Sequence, residues 1–155
     1  MIHTSTAADP TTTPPPGTKR STYFYIAVAL ISLIGLADAT YLTIEHITGQ
    51  SVRCTIVAGC SEVLSSKYAL VAGVPLAMIG ATAYFSVFSL ATLAAFGYRF
   101  AGKLLNVLVA FMLLVSLWLI YLQAFVIHSF CQYCLLSAAV TFVAAALLFL
   151  RWRNS

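Results

Sequence analysis

The chain reads as an all-α integral membrane protein, a bundle of four transmembrane helices with a long outer loop between helices 1 and 2. Three observations carry that expectation. Only 8% of its 155 residues are charged, against roughly 25% in an average soluble domain, so the polar surface of a water-soluble globule is missing. Apolar runs of about 20 residues, enough for a helix to cross roughly 30 Å of hydrocarbon, recur along the chain. The few cations gather at alternate ends of those runs. By length the chain is one domain.

Residues 1–21 hold Pro10, Pro14, Pro15 and Pro16 among polar residues and have little apolar surface to bury. They read as a disordered cytoplasmic tail, and 22–155 as the four-helix membrane domain. The first span is 23–44. Lys19 and Arg20, the apolar stretch 23–35 and Ala37-Asp38-Ala39 imitate a cleavable signal peptide, but apolar residues resume as far as Ile44, which favours a retained span. The other spans are 74–96, 104–127 and 131–150, which leaves one long connection, 46–73, and two short ones. Pro75 stands at the start of span two, where a missing N–H costs little. Gln123 and Asn106 are expected to hydrogen-bond neighbouring helices.

Lys19, Arg20, Arg99, Lys103, Arg151 and Arg153 fall on one side of these spans, and only Arg53 and Lys67 on the other. The positive-inside rule then puts both termini in the cytoplasm. Cys54, Cys60, Cys131 and Cys134 all face the opposite compartment, which for a bacterial inner (plasma) membrane is the oxidising periplasm or the cell exterior. The net charge of +4 does not indicate nucleic acid, because the cations are scattered singly rather than interleaved with aromatics in a patch.

The cysteines come in two pairs. In SFCQYCLL, Ser129 and Gln132 have capping-box spacing and start a helix with Cys131 in its first turn. The positive end of the helix dipole favours a thiolate there. Cys134 lies about one turn deeper, within reach of a lipid-soluble reagent. In CTIVAGC, five residues including Gly59 separate Cys54 from Cys60, which makes a small, exposed and attackable disulfide ring feasible. Two dithiols facing one compartment permit an electron relay. Static structural disulfides use the same spacings, and a zinc site completed by His46 and His128 is a further alternative. Asp38, inside span one, is a candidate proton relay or loop-orienting group, or else a neutral hydrogen-bonded structural carboxyl. Tyr84, Phe111, Tyr121 and Phe130 suit lipid-facing or interfacial positions better than a defined pocket.

CTIVAGCSEVLSSKYALVAGVPLAMIG, followed about fifty residues later by FCQYCLL, resembles the bacterial homologues of vitamin K epoxide reductase in their stand-alone form. The likeness covers nearly the whole chain after the tail. It sets the chain apart from other four-span quinone-linked oxidases, whose CxxC lies in the first outer loop. The resemblance implies a membrane oxidoreductase that uses no metal, oxidises a thioredoxin-like (DsbA-like) dithiol protein, and reduces ubiquinone or menaquinone in the lipid. Cys54 would face the partner, Cys60 would pass electrons to Cys131, and Cys134 would lie beside the quinone. Ser66 matches the family's functional serine, expected near the quinone; a helix cap in the loop is its structural alternative. Ala138 stands where animal enzymes carry a quinone-contacting Tyr, and their polar residue in span two is replaced within VPLAMIG, so epoxide reduction is not expected. Many bacterial members run on into a thioredoxin-like domain, whereas this sequence stops at Ser155, which points to a separate partner.

Overall fold

The structure, a computed structural model, describes residues 16–50, 52, 54–56 and 59–154. Most of the expected tail and Arg53 lie outside the described residues. Helix α1 spans Pro16–Thr48, so the tail boundary expected at residue 21 falls inside a helix. Proline is well tolerated in a first turn, where its missing N–H would have no partner. Beyond the expected end at residue 44, α1 continues to Thr48. Thr40, Thr43 and Thr48 donate their hydroxyls to the carbonyls of Leu36, Ala39 and Ile44 at 2.6, 2.7 and 2.8 Å, which satisfies polar groups within an apolar layer.

After the loop come α2 (Cys60–Ser65) and a 3₁₀ turn (Lys67–Ala69). Strands β1 (Leu70–Val71) and β2 (Val74–Pro75) form an antiparallel ribbon in which Leu70 faces Pro75 and Val71 faces Val74. Its tip is Ala72-Gly73, at φ 52° and 82°, and a two-residue hairpin turn needs positive φ at both positions. The ribbon takes the first two residues expected of span two, and α3 runs Leu76–Ala95. Gly97, at φ 101°, ends that helix. The chain re-enters at once as α4, Arg99–Tyr121, five residues ahead of the expected start. A π-helical turn, Leu122–Ile127, extends α4 until His128 adopts the left-handed conformation. Finally α5 runs Gln132–Arg153.

Among the described residues four helices are long and apolar enough to cross a membrane: Lys19–Thr48, Leu76–Ala95, Arg99–Ile127 and Gln132–Arg153. They form a ring in which α1 packs on α3 and α5, and α4 closes it against the same two. The interior at one end is rich in small residues, including Ala29, Ala91, Ala94, Ala101 and Ala144 around Val28, Val87 and Leu105. Small residues let helices approach closely where lipid supplies no hydrophobic drive between them. Midway, the Tyr84 ring lies against Gly35, whose missing side chain makes the contact possible: a Cβ there would stand 2.6 Å from Tyr84 Cζ. The Tyr84 hydroxyl donates to the Ser137 carbonyl at 2.7 Å and meets Thr141 Oγ1 at 3.0 Å. Tyr84 is therefore a buried strut between α3 and α5, unlike the lipid-facing role expected of it, whereas Phe111, Tyr121 and Phe130 are exposed. Leu30, Phe85, Val107 and Leu114 are also turned outward. An apolar surface that large would aggregate in water, and in a bilayer it meets acyl chains.

Candidate functional site

The cysteines meet at one end of the bundle, where the loop folds over the mouth of α5. Cys54 and Cys60 form a disulfide with Cα atoms 5.8 Å apart, inside the usual range for the bond. Cys131 and Cys134 are free thiols. Cys60 is 2% exposed and Cys131 0%. Both lie in one apolar cluster with Leu42, Val52 and Val63, against which Cys54, Cys134 and Tyr133 pack. The other cysteine of each pair, Cys54 and Cys134, is half-buried.

The expected capping box does not form. Cys131 itself is the residue before α5, with extended backbone, and no side chain caps the helix. Ser129 and Gln132 are engaged elsewhere. The Ser129 hydroxyl bonds to Glu62 Oε2 on α2. The Gln132 carbonyl oxygen accepts from the backbone N–H of Thr55 at 3.2 Å and of Ile56 at 2.9 Å. One of the two residues between the cysteines of the CxxC thus grips the backbone of the other pair's ring. A third tie is steric: Gly59 presses on the turn before α5, and a Cβ there would stand 2.6 Å from the Phe130 carbonyl oxygen. From beneath, Gln123 of the π-helical turn accepts the Cys131 backbone N–H at 3.0 Å. Gln123 therefore bonds across to the segment before α5, as expected of an amide in a span. Asn106 does not follow that expectation, being exposed at the far end of the bundle.

The surroundings of Cys131 pull its thiol pKa below the ordinary value, to about 7. The largest cause is the hydrogen bond from the Cys134 thiol to the Cys131 sulfur. Burial opposes it, backbone N–H groups of Cys134 and Tyr133 add to it, and the Asp38 charge opposes it. The N–H groups of the first turn thus do what the helix dipole requires, although Cys131 stands just ahead of α5. Cys131 is therefore more readily ionised at neutral pH than an unperturbed cysteine.

Asp38 is 8% exposed, and its Oδ2 is buried with no hydrogen-bond partner. Asp38 lies within electrostatic range of Cys131, Cys134 and Tyr84. The hydrogen-bonded structural carboxyl is not built on that oxygen. Ser66 closes α2, donating its hydroxyl to the Val63 carbonyl at 2.7 Å, the geometry of a cap. Among the described residues no three His, Cys, Asp or Glu side chains converge in a metal cluster; His46 and His128 are exposed. Gln132, Gly59 and the Glu62–Ser129 pair were not singled out as site residues by the spacing arguments. Gln132 had a signal in its place between the two cysteines. Glu62 and Ser129 are 67 residues apart and had none.

One consequence is testable at once. Gln132→Leu removes the two backbone hydrogen bonds, of about 1 kcal/mol each, along with the longer contacts to the Thr55 hydroxyl, so the loop is expected to detach more often and a small water-soluble reductant to open the Cys54–Cys60 disulfide several-fold faster. Timed thiol labelling under mild reductant checks this. An unchanged opening rate would mean that the Gln132 contacts do not hold the ring in place.

A buried thiol pair at the mouth of a helix long and apolar enough to cross a membrane, roofed by a loop disulfide packed into the same cluster, is an arrangement in which thiol–disulfide exchange between the two pairs is chemically possible. Residues 26–149 match the vitamin K epoxide reductase family, and the chain belongs to that family. It is also similar to the thiol-disulfide oxidoreductase LTO1 of Arabidopsis thaliana, with 35% identity over 118 residues, covering 69% of this chain and 31% of that protein. The chain thus spans about a third of the length of this relative.

Proposed function

We propose that the chain transfers electron pairs from a separate thioredoxin-like dithiol protein to a membrane quinone, ubiquinone or menaquinone, and so supports disulfide formation in exported proteins. The observation that carries this reading is the burial of Cys60 and Cys131 in one apolar cluster, with half-buried Cys54 and Cys134 packed against it. The charge asymmetry supports a bacterial inner (plasma) membrane setting, with residues 1–21 as a cytoplasmic tail, both termini cytoplasmic and the cysteines facing the periplasm or cell exterior.

On this route a partner thiolate attacks Cys54 and expels the Cys60 thiolate. The partner's second thiol releases it as a disulfide, leaving Cys54 and Cys60 reduced. The Cys60 thiolate then attacks Cys131 of an oxidised Cys131–Cys134 pair and expels the Cys134 thiolate. Cys54 resolves the Cys60–Cys131 bond, which restores the loop disulfide and leaves Cys131 and Cys134 reduced. A membrane quinone supplies an acceptor for the remaining two electrons and two protons. The residues fit one: Cys134 is half-buried on a membrane helix, and Asp38 offers a buried carboxylate oxygen without a partner where protons must move. Ser66 stays within the loop's supporting structure, as the cap on α2, and we assign it a quinone-proximal role through the resemblance alone.

The test is quinone absorbance over time, with purified detergent-solubilised protein, a reduced thioredoxin-like donor and each quinone in turn. Turnover with either supports the proposal. No turnover with both, in protein of confirmed helicity, overturns it and favours cysteines that only brace the fold. The reduced form of Cys131 has an expected pH signature. Its thiol pKa is lowered to about 7, so trapping of reduced Cys131 by a small alkylating reagent is expected to be fast above pH 7 and to slow as pH falls through it, because the thiolate is the nucleophile. A midpoint near 8.5, the value for an ordinary cysteine, would contradict the environment described for Cys131.

A further inference from the structure

A cavity of about 510 Å³ opens at the end of the bundle opposite the cysteines. Its walls come from the first turns of α1 (Ser21 and Tyr25), the start of α4 (Arg99, Lys103 and Asn106) and the end of α5 (Arg151). Arg151 is held in place before any ligand arrives. Its Nε donates to Ser21 Oγ at 2.8 Å, and its guanidinium lies 4.4 Å from the centre of the Tyr25 ring. Tyr25 is seated in turn by Gly102, where a Cβ would stand 2.6 Å from the tyrosine hydroxyl. Arg99 and Lys103 are exposed on the opposite wall.

Among the described residues, the three cations that face this cavity have no carboxylate paired with them. The acidic side chains of the described residues are Asp38, Glu45 and Glu62. Asp38 and Glu45 lie roughly 20 and 30 Å along α1 from Tyr25 by the rise of a helix, and Glu62 bonds to Ser129 at the cysteine end. Such a group of cations is completed by an anion with several oxygens, which the Arg151 fork can take two at a time. The depth of the cavity indicates the source. Tyr23, Phe96, Tyr98, Phe100 and Trp152 are all largely exposed at this end of the bundle, forming the aromatic belt that marks headgroup level in a bilayer.

We propose that this cavity is a binding site for the phosphate headgroup of an anionic membrane lipid, read by Arg99, Lys103 and Arg151 with Asn106 as an amide donor. Basic pockets between transmembrane helices at that depth are suited to such headgroups. The occupant would tie the ends of α1, α4 and α5 together on the side away from the thiol chemistry, independently of the reaction proposed above.

Native mass spectrometry of the detergent-purified full chain tests this, with phosphatidylglycerol, phosphatidylcholine or inorganic phosphate added. One phosphatidylglycerol is expected to be retained per chain, in preference to phosphatidylcholine. Retention is expected to be roughly thirtyfold weaker in Arg99→Gln/Lys103→Gln and unchanged in Arg153→Gln, which removes a cation outside the cavity wall. Arg151→Lys, which keeps the charge and loses the fork, is expected to weaken retention without unfolding the helices, and circular dichroism checks that each variant is folded. Equal retention of both lipids, or an equal loss in Arg153→Gln, would overturn the site in favour of diffuse charge. Displacement of the lipid by millimolar inorganic phosphate would overturn the lipid in favour of a soluble anion.

Discussion

Cys134→Ser is expected to stop electron delivery to quinone, a loss of several orders of magnitude of the kind seen when a reaction's nucleophile is removed, while the loop disulfide still reacts with a dithiol partner. Without Cys134 the inner pair has no disulfide for Cys60 to attack, so the cycle halts after partner oxidation. The variant is also expected to reveal its neighbours. Cys131 remains a thiolate-prone sulfur buried in one cluster with Cys60, and it has lost the partner with which it would close a ring. It can attack Cys60 of the Cys54–Cys60 bond, forming a Cys60–Cys131 disulfide and freeing Cys54. Acid-quenched, non-reduced peptide mapping is the measurement. Full quinone turnover in the variant, or a Cys54–Cys131 link as the main product, would refute the order of transfer. A second substitution separates the chemistry from the hydrogen bond. Serine at this position can still donate to the Cys131 sulfur, whereas Cys134→Ala cannot, so only the alanine variant is expected to move the pH midpoint of the Cys131 exchange up toward the ordinary cysteine range.

The features legible in the sequence were those imposed by bulk physics or short spacing. Bilayer thickness sets a minimum apolar length, so all four spans were found. Five residues between Cys54 and Cys60 suit a small ring, so that pair was found as well. Helix ends were less legible, because they depend on which backbone groups find partners. Pro16 lies in a helix that composition gave no reason to start there, and α4 begins at Arg99 because Gly97, in a left-handed conformation, turns the chain so soon after α3. The capping box failed for a related reason. Its two residues have the right local spacing, but Ser129 finds Glu62 and Gln132 finds Thr55 and Ile56, contacts made across 67 to 77 residues. Tertiary partners outcompeted the local motif, and its two residues tie the loop to the start of α5 instead.

The steric tie at Gly59 shows how much of the chemistry rests on that packing. Gly59→Val is expected to slow electron transfer from the loop pair to the inner pair by about a hundredfold, although no cysteine is altered. A Cβ at Gly59 would overlap the Phe130 backbone, standing 2.6 Å from its carbonyl oxygen and 2.9 Å from its nitrogen. Backbone atoms cannot swing aside as the end of a flexible side chain can, so α2 must lift away from the mouth of α5 by something near an ångström. Gly59 directly precedes Cys60, and that displacement is passed to the sulfur that must meet Cys131. Misplacing reacting groups by about 1 Å costs on the order of a hundredfold in rate. The loop disulfide is a local ring and is expected to survive, so partner binding and opening of Cys54–Cys60 are expected to stay near wild-type rates. Rapid-quench thiol labelling that follows the two pairs separately is the measurement. A variant that transfers electrons between the pairs at the wild-type rate would show that the loop moves freely before each exchange. Equal slowing of both steps would show that the substitution had disordered the loop as a whole. A selective loss at the second step is the result required if the contact between α2 and the segment before α5 sets the alignment of Cys60 with Cys131.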